Sequence, residues 1–144
     1  MTLDTDLVGV VVVTHGQLAS ELLNAAEMIV GALPQFTAVS IGWHDDVEVA
    51  RHAIERSVGK VERGRGVLIL TDMFGGTPSN LGLTFLEAGQ VEVITGVNLA
   101  MLIRLAKTPG GRDLRVIARE VCDDGRAAIR VASDLLQSDR QAKT

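Results

Sequence analysis

Four short apolar runs, each closed by glycine or polar residues and followed by a stretch of helical periodicity, constrain this chain more than any other feature. The first, Leu7–Val13, is rich in valine and broken only by Gly9. A strand with one wet face alternates apolar and polar residues. A run without alternation suits a strand buried on both faces, as at the centre of a parallel sheet. Phe36–Ile41, Val67–Thr71 and Val91–Ile94 read as the second, third and fourth strands.

The intervening stretches read as helices. Gln17–Val30 places Leu18, Leu22, Ala25, Ala26 and Ile29 at helical spacing, with Gly31 as a stop. Asp45 and Glu48 form a D-x-x-E pattern, an aspartate variant of the capping box, ahead of Val47, Ala50, Ile54, Val58 and Val61 on one face. Thr77-Pro78 predicts a helix start with threonine as N-cap, continuing through Leu81–Glu87. Asn98–Ala106 is a short helix, and Thr108-Pro109-Gly110-Gly111 a break. From Asp113 on, Leu114, Ile117, Val121, Ala128, Val131 and Leu135 mark one long helix or two short ones, and the polar Ser138–Thr144 tail is expected to fray.

Strands alternating with helices predict an α/β fold, an open and mostly parallel sheet with helices on both faces. At 144 residues, with neither repeat nor linker, residues 1–144 read as one domain. In such sheets ligands bind beyond the carboxyl ends of the strands, where the strand order reverses. The residues to examine therefore close the strands: Thr14-His15-Gly16, Gly42-Trp43-His44, Asp72-Met73-Phe74-Gly75-Gly76 and Gly96-Val97-Asn98.

Composition removes several function classes. Fourteen basic and eighteen acidic residues give a net charge of −4 without a block of either sign, which disfavours nucleic acid. No apolar run reaches the ~18 residues of a membrane span. The Met1–Asp6 leader is acidic, unlike a signal peptide. The single cysteine, Cys122, excludes an internal disulfide and a Cys-cluster metal site and reads as a small core residue. A cytoplasmic location is the expectation.

His15 is the candidate chemical centre. Neutral imidazole has a free lone pair near neutral pH and can act as a nucleophile. A phosphoryl group placed there would sit at a helix N-terminus, where free N–H groups favour an anion, and Gly16 lets the backbone approach closely. A lone histidine more often only satisfies hydrogen bonds at a strand end; the strand-end position reverses that balance. If the first and third strands are neighbours, Asp72 can bond one nitrogen of His15, fixing the tautomer and stabilising the charged ring. Read alone, Asp72 is as readily a turn cap. Gly75-Gly76-Thr77 can point N–H groups inward as an anion nest, with the Thr77 hydroxyl capping the helix or reaching a phosphoryl oxygen; ordinary turn chemistry explains the same residues about as well. No lysine follows, so this is not a nucleotide-binding P-loop. His44 lies in a polar loop and His52 on a helix, neither with ligand spacing to His15, so no metal site or cofactor is expected.

The run Gly9–Gly16, with Ala25-Ala26-Glu27-Met28-Ile29-Val30-Gly31 after it, resembles the opening of the IIA domain of the mannose-type bacterial phosphoenolpyruvate-dependent sugar phosphotransferase system. Val67–Asn80 and Val93–Leu102 match two further motifs in the right order, so the resemblance spans about residues 7–105. It implies that His15 is the phosphorylated histidine, Asp72 its supporting aspartate and Thr77 the hydroxyl beside the phosphoryl. It further implies HPr as donor, a IIB domain as acceptor or a regulatory role, and a strand order of 2-1-3-4. A homodimer exchanging an edge strand is also implied, although the chain after Leu136 is short.

The rival readings are the IIA domain of a phosphotransferase-dependent dihydroxyacetone kinase and a flavodoxin-like binding module. The Gly75-Gly76-Thr77-Pro78 turn fits the mannose type better than the first, and the lack of a Ser/Thr-rich loop after the first strand counts against the second. A receiver would need an acidic cluster at the end of that strand. A histidine phosphatase would need an arginine where Thr14 stands.

Overall fold

The computed structural model describes residues 6–142, with side chains through residue 137. The elements run β1 (Gly9–His15), α1 (Leu18–Val30), β2 (Phe36–Ile41), α2 (Val47–Val61), β3 (Val67–Thr71), α3 (Thr77–Leu83), β4 (Val91–Thr95), α4 (Leu99–Leu105), α5 (Leu114–Ala127) and α6 (Ala132–Ala142). The four strands pair in parallel in the order β2-β1-β3-β4, as the sequence predicts.

The unbroken apolar runs follow from burial on both faces. Val10 and Val12 point with Phe36, Leu68, Leu70 and Ile94 into a core closed by α1, α4 and α5. Val11 and Val13 point with Val39, Ile41, Ile69 and Val91 into a second core closed by α2 and α3. Each of the four valines is fully buried, a contribution of ~1.5–3 kcal/mol apiece. Gly9 interrupts the run because α2 ends against it: a Cβ there would lie 2.6 Å from the Val61 carbonyl oxygen.

Several expected boundaries shift. β1 covers Gly9–His15 rather than Leu7–Val13, since its partner β3 begins at Val67, opposite Gly9. Leu7 instead forms an isolated antiparallel bridge with Pro109. The α2 cap is Asp46, which accepts from the Glu48 and Val49 N–H groups, while Asp45 accepts from Gly42 N–H at 2.5 Å. Val47 consequently stays exposed, outside the buried face of Ala50, Ile54 and Val61. In α1, Ala19 and Ala26 meet the sheet and leave Leu18 and Ile29 exposed.

Helix α3 stops at Leu83 instead of reaching Glu87, because the Thr84 hydroxyl turns back to the Leu81 carbonyl and Glu87 bridges to Val91. The C-terminal periodicity resolves into two helices, with Ile129–Val131 between them. Ala128, Val131 and Leu135 join no core face and are exposed. The backbone is helical to Ala142; the expectations for the Met1–Asp6 leader and the rest of the Ser138–Thr144 tail fall outside the described residues, Asp6 excepted. Among the described residues no helix is long and apolar enough to cross a membrane.

Candidate functional site

From β1 the chain leaves to β2 on one side and later returns as β3 on the other, so the crevice of the sheet opens at the carboxyl ends of β1 and β3. His15 ends β1 there. Alternation along β1 turns its N–H toward β3, but β3 stops at Thr71 and offers no further ladder carbonyl. The Asp72 carboxylate takes that place: its Oδ2 accepts from His15 N–H at 3.0 Å and lies 2.7 Å from His15 Nδ1. Its Oδ1 accepts from the Met73 N–H at 3.1 Å. The His15 side chain is 52% exposed, whereas that of Asp72 is 14% exposed, so the aspartate is better covered than a solvent-facing turn residue.

Burial pushes the Asp72 carboxyl up, but the bonds from the His15 ring and backbone outweigh it and hold the group below its usual range. Asp72 is therefore an anion at neutral pH and can only accept hydrogen bonds. Nδ1 of a neutral His15 must then carry the ring proton, which leaves the lone pair on Nε2. One carboxylate both aims the ring and selects its tautomer.

Nε2 lies against the turn that starts α3. A Cβ on Gly76 would be 3.2 Å from His15 Nε2 and Cε1, and Gly76 has φ 85° and ψ 172°, a backbone region open only to glycine. Gly75 also has positive φ, 88°, and Gly16 has φ 55°. Gly76 is the N-cap of α3; Thr77 is its first residue and makes no capping bond, contrary to the sequence expectation. Free of that duty, Thr77 lines an open cleft of about 440 Å³ together with His15, Gly16, Ile41, Gly42 and Trp43.

The structure thus brings His15, Gly16, Asp72, Gly76 and Thr77 together. His44 and His52 stand apart: His44 is edge-on to Trp43 at 6.1 Å between centroids, and His52 pairs weakly with Glu55 on α2 at 3.7 Å. Cys122 is partly buried against the first core. Two features carry roles that sequence reasoning did not assign. Thr14, fully buried, accepts from the Ala19 N–H at 2.7 Å and so satisfies the first turn of α1, where Gln17 gives no side-chain cap. Trp43, Met73 and Phe74 are exposed apolar side chains on the strand-end loops of β2 and β3. Their strand-end positions were the only signal.

The EIIA-man family model, described as the PTS system fructose IIA component, matches residues 9–120. The chain belongs to this family. It is 36% identical over 102 residues to the PTS system mannose-specific EIIAB component of Escherichia coli K12, covering 67% of this chain and 30% of that protein. The chain thus spans less than a third of the length of that relative. The fructose-specific EIIA component of Bacillus subtilis is 26% identical over 100 residues, covering 69% of this chain and 68% of its own length. Among solved structures, the mannose/sorbose-specific IIA subunit from Enterococcus faecalis aligns with TM-score 0.75 and 27% identity, over 87% of this chain and 94% of that one. The PTS IIA protein associated with the fucose utilization operon of Streptococcus pneumoniae aligns with TM-score 0.78 and 25% identity, over 90% and 96%. The mannose-type assignment made on the strand-end motifs agrees with these comparisons.

Proposed function

We propose that this IIA component is a phosphocarrier in which His15 takes a phosphoryl group from phospho-HPr and passes it to a IIB domain or holds it as a regulatory signal. The Nε2 lone pair attacks phosphorus, the P–N bond of the donor phosphohistidine breaks, and the donor imidazole leaves with the bonding electrons. The phosphorylated ring of His15 becomes cationic, and the Asp72 carboxylate lies beside Nδ1 to offset that charge. N–H groups of the Gly75-Gly76 turn and the Thr77 hydroxyl would meet the phosphoryl oxygens.

The observation that carries this reading is the 2.7 Å contact between Asp72 Oδ2 and Nδ1, which leaves Nε2 free and facing the glycine turn. The apolar rim of Trp43, Met73 and Phe74 suits docking of a protein that must exclude water from the transfer. The same reading implies a cytoplasmic location, where HPr resides. It also implies a homodimer, for which Ile129 and Val131, 77% and 63% exposed in a non-helical segment, supply apolar surface.

The test is incubation with labelled phosphoenolpyruvate, enzyme I and HPr. The wild type should take up acid-labile, base-stable label, and His15→Ala should take up none. Label retained by the variant, or never taken up by the wild type, rejects the proposal.

A further inference from the structure

Among the described residues β2 is an unpaired edge of the sheet, and it runs beside a basic groove. The register with β1 directs the backbone groups of Gln35, Thr37, Val39 and Ile41 inward, since Val10 N–H bonds the Gln35 carbonyl and Gly16 N–H bonds that of Ile41. The N–H and C=O groups of Ala38 and Ser40 therefore point away from the sheet, and among the described residues no strand lies beyond them. Alongside lies a groove of about 410 Å³ between this edge and α2. Its helix side carries Ala53 and Ser57, too small to fill it, flanked by Arg56 and Lys60. Those cations are four residues apart and so share a face of α2.

Among the described residues neither Arg56 nor Lys60 forms an ion pair, whereas Arg51 on the preceding turn pairs with Glu48 at 3.3 Å. Thr37, on the strand side, has a buried hydroxyl oxygen without a hydrogen-bond partner. An edge with unused backbone groups, two uncommitted cations and an orphan hydroxyl is thus assembled on a chain whose net charge is −4.

We infer that β2 is a docking edge for an extended acidic segment of a partner protein, which adds to the sheet as a further strand. Backbone bonds to Ala38 and Ser40 supply the pairing. Alternate side chains of the added strand rise toward α2, where carboxylates meet Arg56 and Lys60. The site lies outside the His15 cleft and does not depend on phosphoryl transfer. A basic or uncharged strand would meet the same edge without the charge complement.

The probe is an acetylated, amidated heptapeptide alternating valine with glutamate, titrated into ¹⁵N-labelled protein and followed by amide shifts and amide hydrogen exchange. Shifts and slowed exchange are expected at Ala38 and Ser40. Affinity should fall about tenfold or more in the surface double variant Arg56→Glu/Lys60→Glu, which leaves the cores untouched. A valine–lysine peptide should leave these amides unmoved. The inference is overturned if no shift appears up to about millimolar peptide, if shifts gather on β4, or if charge reversal changes nothing. Shifts at Ala38 and Ser40 that grow with protein concentration alone would assign the edge to a second copy and overturn it equally.

Discussion

Replacing Asp72 with asparagine keeps the shape of the side chain and removes the charge beside His15. The amide also presents an NH₂ group, which favours the other tautomer of the ring. Phosphoryl transfer to Asp72→Asn should slow by roughly 10²-fold or more, measured as single-turnover uptake from phospho-HPr. Transfer at the wild-type rate would reduce Asp72 to a turn cap. The substitution also affects stability, because the folded state holds the Asp72 carboxyl below its ordinary value of 3.8. A lowered carboxylate pKa stabilises the fold above the unfolded value, and that contribution is lost as the pH falls through the folded one. Urea unfolding should therefore separate wild type from Asp72→Asn near neutral pH and bring them together as the pH drops below about 4. Gly76→Ala forces a Cβ into a glycine-only conformation 3.2 Å from Nε2. It should cost about 1–3 kcal/mol and block transfer. Thr77→Ala, which loses no capping bond, should stay within about 0.5 kcal/mol of wild type and slow transfer only in part. Denaturation midpoints and uptake rates measured together on both variants check this contrast.

At the scale of elements, the strands were legible because burial on both faces permits only apolar, largely β-branched residues, as in Val10–Val13. Helix starts were less so. Asp45 and Asp46 are adjacent and either satisfies a capping pattern; the choice is made by Gly42, whose N–H claims Asp45 and leaves Asp46 to cap α2. Thr77 looked like a cap because Pro78 follows it, yet Gly76 in its extended positive-φ conformation occupies that position. The α1 cap was hidden for a different reason: Thr14 sits inside β1 and reaches the Ala19 N–H from outside the helix. Thr14→Val would leave that N–H without a partner in a buried setting. A loss of about 1–3 kcal/mol is expected by chemical denaturation. An unchanged stability would mean that α1 does not need this bond.

Across the whole molecule, the placement of the site needed only the strand order. Once β1 lies between β2 and β3, the ends of β1 and β3 bring His15 and Asp72 together, although 57 residues separate them in the chain. The C-terminal region was the least legible part, since Val131 and Leu135 follow a helical pattern yet meet no core face among the described residues and stay exposed. If that surface belongs to a dimer, sedimentation should give twice the monomer mass at micromolar concentration. Ile129→Ser/Val131→Ser should shift the protein toward monomer with its circular dichroism intact. A monomeric wild type removes the dimer.

In the proposed phosphocarrier, Asp72 holds Nδ1 and leaves Nε2 of His15 to carry the phosphoryl group. Nitrogen-15 histidine labelling followed by NMR of the phosphorylated protein reads the bonded nitrogen directly, through its coupling to phosphorus. Coupling at Nε2 of His15, with Nδ1 still protonated, is the predicted result; phosphorus bonded to Nδ1, or to any residue other than His15, would contradict it.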